Sequence, residues 1–295
     1  MIQNKIKGVG VALITPFKSY DVDYDALGRM VDYVIEGGVD YIVALGSTAE
    51  TATLSLEERD RVLRYIVDRT AGRVPIVVGM GGNDTKALVD QLRTFNLADT
   101  VAILSVVPYY NKPSQEGIYR HFMAVAEASP VPVIIYNVPG RTGINMSAET
   151  TLRLAHTSKK IVAIKEACGN IEQMQKILDG RPEGFLVLSG DDGLTVELVK
   201  RGGEGVISVA ANTFPEKFCG CVHRAMAGNI AEAEAEIAEM EESINLLFKE
   251  GNPVGAKAMT AAIGLTTAEV RLPLVEATNA LTQEIKSAIE RYDLR

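Results

Sequence analysis

The chain has 295 residues, 47% of them hydrophobic and 23% charged, a globular composition with enough apolar material for one large core. Its 30 basic and 38 acidic residues leave a formal net charge of −8. The nearest approach to a basic stripe is the pairs Lys159-Lys160 and Lys200-Arg201, so neither nucleic acid nor an anionic membrane is expected as a partner.

From Met1 to Gly8 the chain carries charge but no apolar stretch, so no signal peptide is expected. The longest apolar runs are strand-length, well short of the roughly 20 residues that span a bilayer. The three cysteines, Cys168, Cys219 and Cys221, cannot all pair with one another and form no CxxC motif. Free thiols in a reducing cytoplasm are expected, with a redox role for Cys219-Gly-Cys221 as the other reading.

Taken in chain order, eight short apolar runs predict strands: Val9-Thr15, Tyr41-Leu45, Pro75-Met80, Val101-Pro108, Val131-Val138, Ile161-Ala167, Phe185-Gly190 and Gly205-Ala210. Most are apolar on both faces, as strands of a covered parallel sheet must be. The segments between them carry helix signals. Asp23-Glu36 places Ala26, Leu27, Met30, Val31, Val34 and Ile35 on one broad face. Ser55 with Glu58 looks like a capped start, and Ser114 and Ser147 precede further helical runs.

Strand and helix alternating eight times fits a closed barrel or a doubly wound open sheet. Gly8-Val-Gly10 and Gly79-Met-Gly81-Gly82 both lack a complete dinucleotide fingerprint, and no GxxxxGK[ST] is present. The prediction is therefore an α/β fold, a (β/α)8 TIM barrel over 1–228. A C-terminal helical region is expected over 229–295, built from Ala231-Phe248, Val254-Ile263 and Leu281-Arg291.

In such a barrel, chemistry sits at the carboxyl ends of the strands. Lys165 in Ile161-Val-Ala-Ile-Lys-Glu-Ala167 is the strongest anomaly. Burial favours the neutral amine, which attacks carbonyls to form iminium ions; a lysine snorkelling from a frayed strand end is the plain alternative. Tyr136, near the end of the preceding strand, is either a proton shuttle beside Lys165 or a half-buried core tyrosine. Ser47-Thr48 follows the second strand and reads as a carboxylate-binding turn or as ordinary turn chemistry. Arg141 is a fork for a carboxylate or a surface loop arginine. Asp191-Asp192 invites a metal, but His121, His156 and His223 all fall in helical segments. No metal site is expected, and Asp192 reads most simply as a helix N-cap.

Several long segments carry a resemblance. Pro108-Tyr-Tyr-Asn-Lys-Pro-Ser-Gln-Glu-Gly117, Tyr136-Asn-Val-Pro-Gly-Arg-Thr-Gly143, Ile164-Lys-Glu-Ala-Cys-Gly169, Leu188-Ser-Gly-Asp-Asp192 and Gly205-Val-Ile-Ser-Val209 stand in the same order as in the pyruvate-dependent class I aldolases. That superfamily includes N-acetylneuraminate lyase and dihydrodipicolinate synthase. The chain resembles it from end to end and is most similar to the dihydrodipicolinate synthase branch.

The resemblance implies a Schiff base between Lys165 and pyruvate, with Tyr136 as proton donor and acceptor. It implies a relay completed by Thr48 and by Tyr110, the latter reaching in from a neighbouring subunit. Ser47 and Thr48 would hold the pyruvate carboxylate, with backbone help near Ile207, and Arg141 would bind the carboxylate of L-aspartate 4-semialdehyde. No external cofactor is implied. The family is usually a homotetramer, a dimer of dimers. The resemblance also leaves a second reading, an aldolase of the same chemistry acting on N-acetylneuraminate or a 2-oxo-3-deoxy sugar acid, and a distant one, a non-catalytic 2-oxo-acid sensor.

Two departures stand out. The loop after the second strand reads Gly46-Ser-Thr-Ala-Glu50 where the synthase branch has Gly-Thr-Thr-Gly-Glu; Ser47 is shared with the lyase branch, and Ala49 has less conformational freedom than glycine, so a differently placed loop is expected. The allosteric lysine pocket of sensitive relatives matches Leu56, Arg59 and Ala87 here, with Asn83 and Tyr109 retained. That set implies weak or absent inhibition by lysine.

Overall fold

The computed structural model describes residues 2–292. Eight parallel strands close into a barrel: β1 (Gly8–Ala12), β2 (Tyr41–Ala44), β3 (Ile76–Gly79), β4 (Ala102–Val106), β5 (Val133–Asn137), β6 (Ile161–Glu166), β7 (Leu186–Ser189) and β8 (Gly205–Ser208). Closure comes from β1, which pairs with β8 through Gly8↔Gly205 and with β2 through Gly10↔Tyr41. All eight predicted strands are present, most of them shorter than predicted, while β1 starts one residue earlier at Gly8.

Alternation along each strand divides the apolar residues between two cores. One fills the lumen with Tyr41, Val43, Ile134, Ala163, Leu188 and Ile207. The other lies between the barrel wall and the helices, where Ile42, Ile103, Ile135, Ile164 and Val187 meet the helical faces. A strand covered on both sides has no solvated face, which explains its continuous apolar sequence.

The outer ring consists of α1 (Tyr24–Glu36), α2 (Leu56–Thr70), α3 (Thr85–Thr94), α4 (Gln115–Ala128), α5 (Ala148–Thr157), α6 (Ile171–Gly180), α7 (Thr195–Lys200) and α8 (Pro215–Met226). Their starts are fixed by local chemistry. Asp23, Ser114 and Ser147 each accept an amide from three residues on, and Ser55 with Glu58 forms the reciprocal pair of a capping box. His121, His156 and His223 fall on α4, α5 and α8.

Three further helices follow: α9 (Ile230–Phe248), α10 (Val254–Ala262) and α11 (Asn279–Tyr292). They pack on one another, and α9 also packs on α7 and α8. The loop from Phe248 to Val254 crosses the mouth of the barrel and places Asn252 over it. Among the described residues, no helix is long and apolar enough to cross a membrane.

Candidate active site

β5 and β6 lie side by side in register, so Tyr136 is the direct partner of Lys165, and Asn137 that of Glu166. The two pairs face opposite ways. Tyr136 and Lys165 point into the lumen, where the Lys165 Nζ stands 4.4 Å from the centre of the Tyr136 ring. Asn137 and Glu166 point outward and lock the strand ends together: Asn137 Nδ2 donates to both Glu166 carboxylate oxygens at 2.9 and 3.1 Å. The same carboxylate accepts from the Cys168 amide at 2.9 Å and from Gln173 Nε2 at 3.0 Å. Satisfied buried polar groups of this kind hold their neighbours to one geometry.

Lys165 is buried, and desolvation drives its pKa down to about 8; the Asp192 carboxylate opposes this shift and Arg141 adds to it. Burial pushes Tyr136 up to about 12, with Arg141 pulling the other way. The amine is thus partly neutral near pH 7 while the phenol keeps its proton. Room for the lysine stem comes from Gly190, where an added Cβ would stand 2.5 Å from Ala167 Cβ and 3.1 Å from Lys165 Cε.

A cavity of about 190 Å3 opens above Lys165, lined by Ser47, Thr48, Tyr136, Arg141, Asp191 and Asn252 among others. It continues outward into one of about 460 Å3 that shares Ser47, Tyr136, Arg141 and Asn252 and adds Arg59 and Tyr109. Five sequence-predicted residues, Lys165, Tyr136, Ser47, Thr48 and Arg141, therefore converge on one space.

Ser47 to Ala49 form a single 3-10 turn after β2, with Thr48 buried beneath it. Ala49 has ordinary helical backbone; the left-handed residues are Leu45 at φ 56° and Glu50 at φ 54°. A side chain larger than hydrogen in that region costs about 1–2 kcal/mol, so the strain sits on either side of position 49. Alanine fits there without it.

Asn252 was not legible in the sequence. Its Nδ2 donates to Thr48 Oγ1 at 2.9 Å, and its main-chain carbonyl accepts from Arg141 Nη2 at 3.0 Å. One residue of the appended region thereby touches both expected carboxylate anchors. Only an ordinary Asn-Pro turn signal marks it in the chain, 204 positions from Thr48.

Asp192 is a correction. It does not cap α7, whose preceding residue, Leu194, makes no side-chain cap. The loop amides of Gly193 and Leu194 are instead taken by Asp191 Oδ1. Asp192 turns inward, buried, and accepts from the Val209 and Ala210 amides at 3.1 and 3.0 Å. Desolvation raises its pKa to about 6. The sequence offered an acidic pair before a helix, and which carboxylate faced the helix depended on the loop's path.

The remaining predicted residues lie elsewhere. Ile207 is in the lumen core one layer below the cavity, and Val209 takes the lining position. Tyr110 is 87% exposed with φ 69° and lines neither cavity of its own chain. Of the expected lysine-pocket set, Tyr109 and Arg59 line the outer cavity. Arg59 is tied to the carbonyls of Leu54 and Thr51 at 3.1 and 2.8 Å, and Asn83 Nδ2 donates to the Tyr109 carbonyl at 3.3 Å. Leu56 and Ala87 are exposed on the first turns of α2 and α3.

Comparison with known proteins identifies the family. The curated 4-hydroxy-tetrahydrodipicolinate synthase of Phocaeicola vulgatus is 51% identical over 296 residues, covering 100% of both chains, and that of Parabacteroides distasonis is 49% identical over the same span. The crystal structure of dihydrodipicolinate synthase from Thermotoga maritima superposes with a TM-score of 0.96 at 33% identity, covering 99% of this chain and 100% of that one. Residues 5–292 match the family model described as the dihydrodipicolinate synthetase family. With a lysine and tyrosine paired in the lumen and relatives matched end to end, this chain belongs to the dihydrodipicolinate synthetase family.

Proposed function

We propose that this chain condenses pyruvate with L-aspartate 4-semialdehyde on Lys165 to give 4-hydroxy-tetrahydrodipicolinate, a step of lysine and diaminopimelate biosynthesis. The observation that carries the site assignment is the buried Lys165 amine, brought down to about pH 8 beside the Tyr136 phenol.

The neutral amine attacks the pyruvate ketone, and loss of water gives an iminium cation on Nζ. Tyr136 passes protons between the carbinolamine and solvent through Thr48 and Tyr110. The cation acidifies the pyruvate methyl group, and loss of one proton gives an enamine. Its carbon attacks the aldehyde of the second substrate, whose oxygen takes a proton to become the hydroxyl. The substrate amine then adds to the iminium carbon, the Lys165 amine leaves, and the ring closes. The lysine serves as the electron sink itself.

Ser47 and Thr48 hold the pyruvate carboxylate, with backbone support near Ile207. Arg141 holds the carboxylate of the semialdehyde. The catalytic barrel occupies 1–228, and the helical region over 229–295 supplies the Asn252 loop. Tyr110, exposed on its own chain, completes the relay of a neighbouring copy, so the working form is at least a dimer and, by family habit, a tetramer built of two dimers. A soluble cytoplasmic enzyme suits these small charged substrates.

Borohydride added with pyruvate tests the reading. A stable mass increase on the peptide containing Lys165, absent in Lys165→Ala, is expected. Label on another residue, or none, would sink it.

A further inference from the structure

The turn carrying Ser47 and Thr48 is closed by Glu50 in the left-handed region. Backbone of that kind persists where surrounding contacts over-determine it, and at Glu50 they come from the far end of the chain. Lys257 Nζ, on α10, stands 2.5 Å from Glu50 Oε1. The Arg271 amide donates to Oε2 at 2.9 Å. On the main chain, the Glu50 carbonyl accepts from the Thr53 amide and hydroxyl at 2.9 and 3.0 Å.

Lys257 is 0% exposed. Its ammonium also donates to the Glu269 carbonyl at 2.9 Å and lies 3.9 Å from the centre of the Phe17 ring. It lines neither cavity, so it cannot touch substrate. A buried pair is costly to form and more costly to break, because one partner alone is an uncompensated charge. The mechanism makes no use of this ammonium, and the strained turn is what it holds.

We propose that Lys257 is a positioning residue: by fixing the Glu50 carboxylate it keeps the Ser47–Thr48 turn in the form that receives the pyruvate carboxylate. This inference rests on the pyruvate reading of the Lys165 site. Desolvation brings the Lys257 pKa down to about 8 against the pull of Glu50, so the anchor weakens as pH climbs past that point.

The test uses full-length Lys257→Met, Lys257→Arg and the double variant Lys257→Met/Glu50→Gln, with KM measured for each substrate. In Lys257→Met the pyruvate KM should rise by about tenfold or more, while the semialdehyde KM moves by less than about twofold. Lys257→Arg, which keeps the charge, should recover part of the loss. The double variant removes the uncompensated charge, so its thermal stability should return while its pyruvate KM stays high. That last pair separates positioning from mere stability, and it stands even where Lys257→Met fails to fold. A double variant with wild-type pyruvate KM, or parallel rises for both substrates, overturns the proposal. Wild-type protein that takes no borohydride label on Lys165 sinks the pyruvate reading; labelled wild type with unchanged KM in every variant sinks the positioning role alone.

Discussion

Tyr136 and Lys165 are register partners on adjacent barrel strands, and the amine stands 4.4 Å from the ring centre. Two side chains 29 positions apart thus share one desolvated pocket because β5 and β6 pair in parallel. Their outward neighbours, Asn137 and Glu166, hold that register from behind.

The pH dependence of imine formation follows from the lysine. Its pKa in the fold, about 8, is below the ordinary value, so the reactive neutral form is gained as pH rises. Borohydride trapping at fixed pyruvate should speed up from pH 7 to about 9, with its midpoint near 8, and then level off. Asp192 opposes the shift, so Asp192→Asn should move the midpoint to lower pH. A midpoint that stays put or moves up would refute that role for the carboxylate.

Arg141→Ala should raise the semialdehyde KM by about tenfold to a hundredfold, the loss of a charge-assisted pair, with a much smaller change for pyruvate. Arg141 also lowers the Lys165 and Tyr136 pKa values. The trapping midpoint of this variant should therefore move to higher pH. Equal damage to both substrates would place Arg141 in loop support through Asn252 instead.

At Asn252 the amide donates to Thr48 Oγ1, leaving the threonine's own proton free for a substrate carboxylate. Asn252→Asp turns that donor into an acceptor and draws the proton back. Its pyruvate KM should exceed that of Asn252→Ala, by about tenfold over wild type or more. A role in packing alone predicts the reverse order, since aspartate is the closer fit in shape.

Sub-millimolar lysine should leave the steady-state rate nearly unchanged. Leu56 and Ala87 offer no carboxylate to an ammonium ligand, and the Arg59 guanidinium repels it while bound to the Leu54 and Thr51 carbonyls. Substantial inhibition in that range would show that other groups make the pocket.

The sequence by itself determined the barrel and the reactive amine. Strands covered on both faces must be apolar throughout, so their number and order were legible, and a lone lysine in such a run stood out because buried ammonium is costly. Capping residues marked the starts of α2, α4 and α5 for the equally local reason that orphan amides need acceptors nearby. Asn252, Lys257 and the inward turn of Asp192 were decided only by the tertiary structure. Their partners are Thr48, Glu50 and the amides after β8, the Val209 amide 17 positions from Asp192 and Thr48 204 from Asn252. No local periodicity or motif encodes such pairings; they exist once the barrel has closed and the C-terminal helices have packed against it, bringing the loop of Asn252 over its mouth.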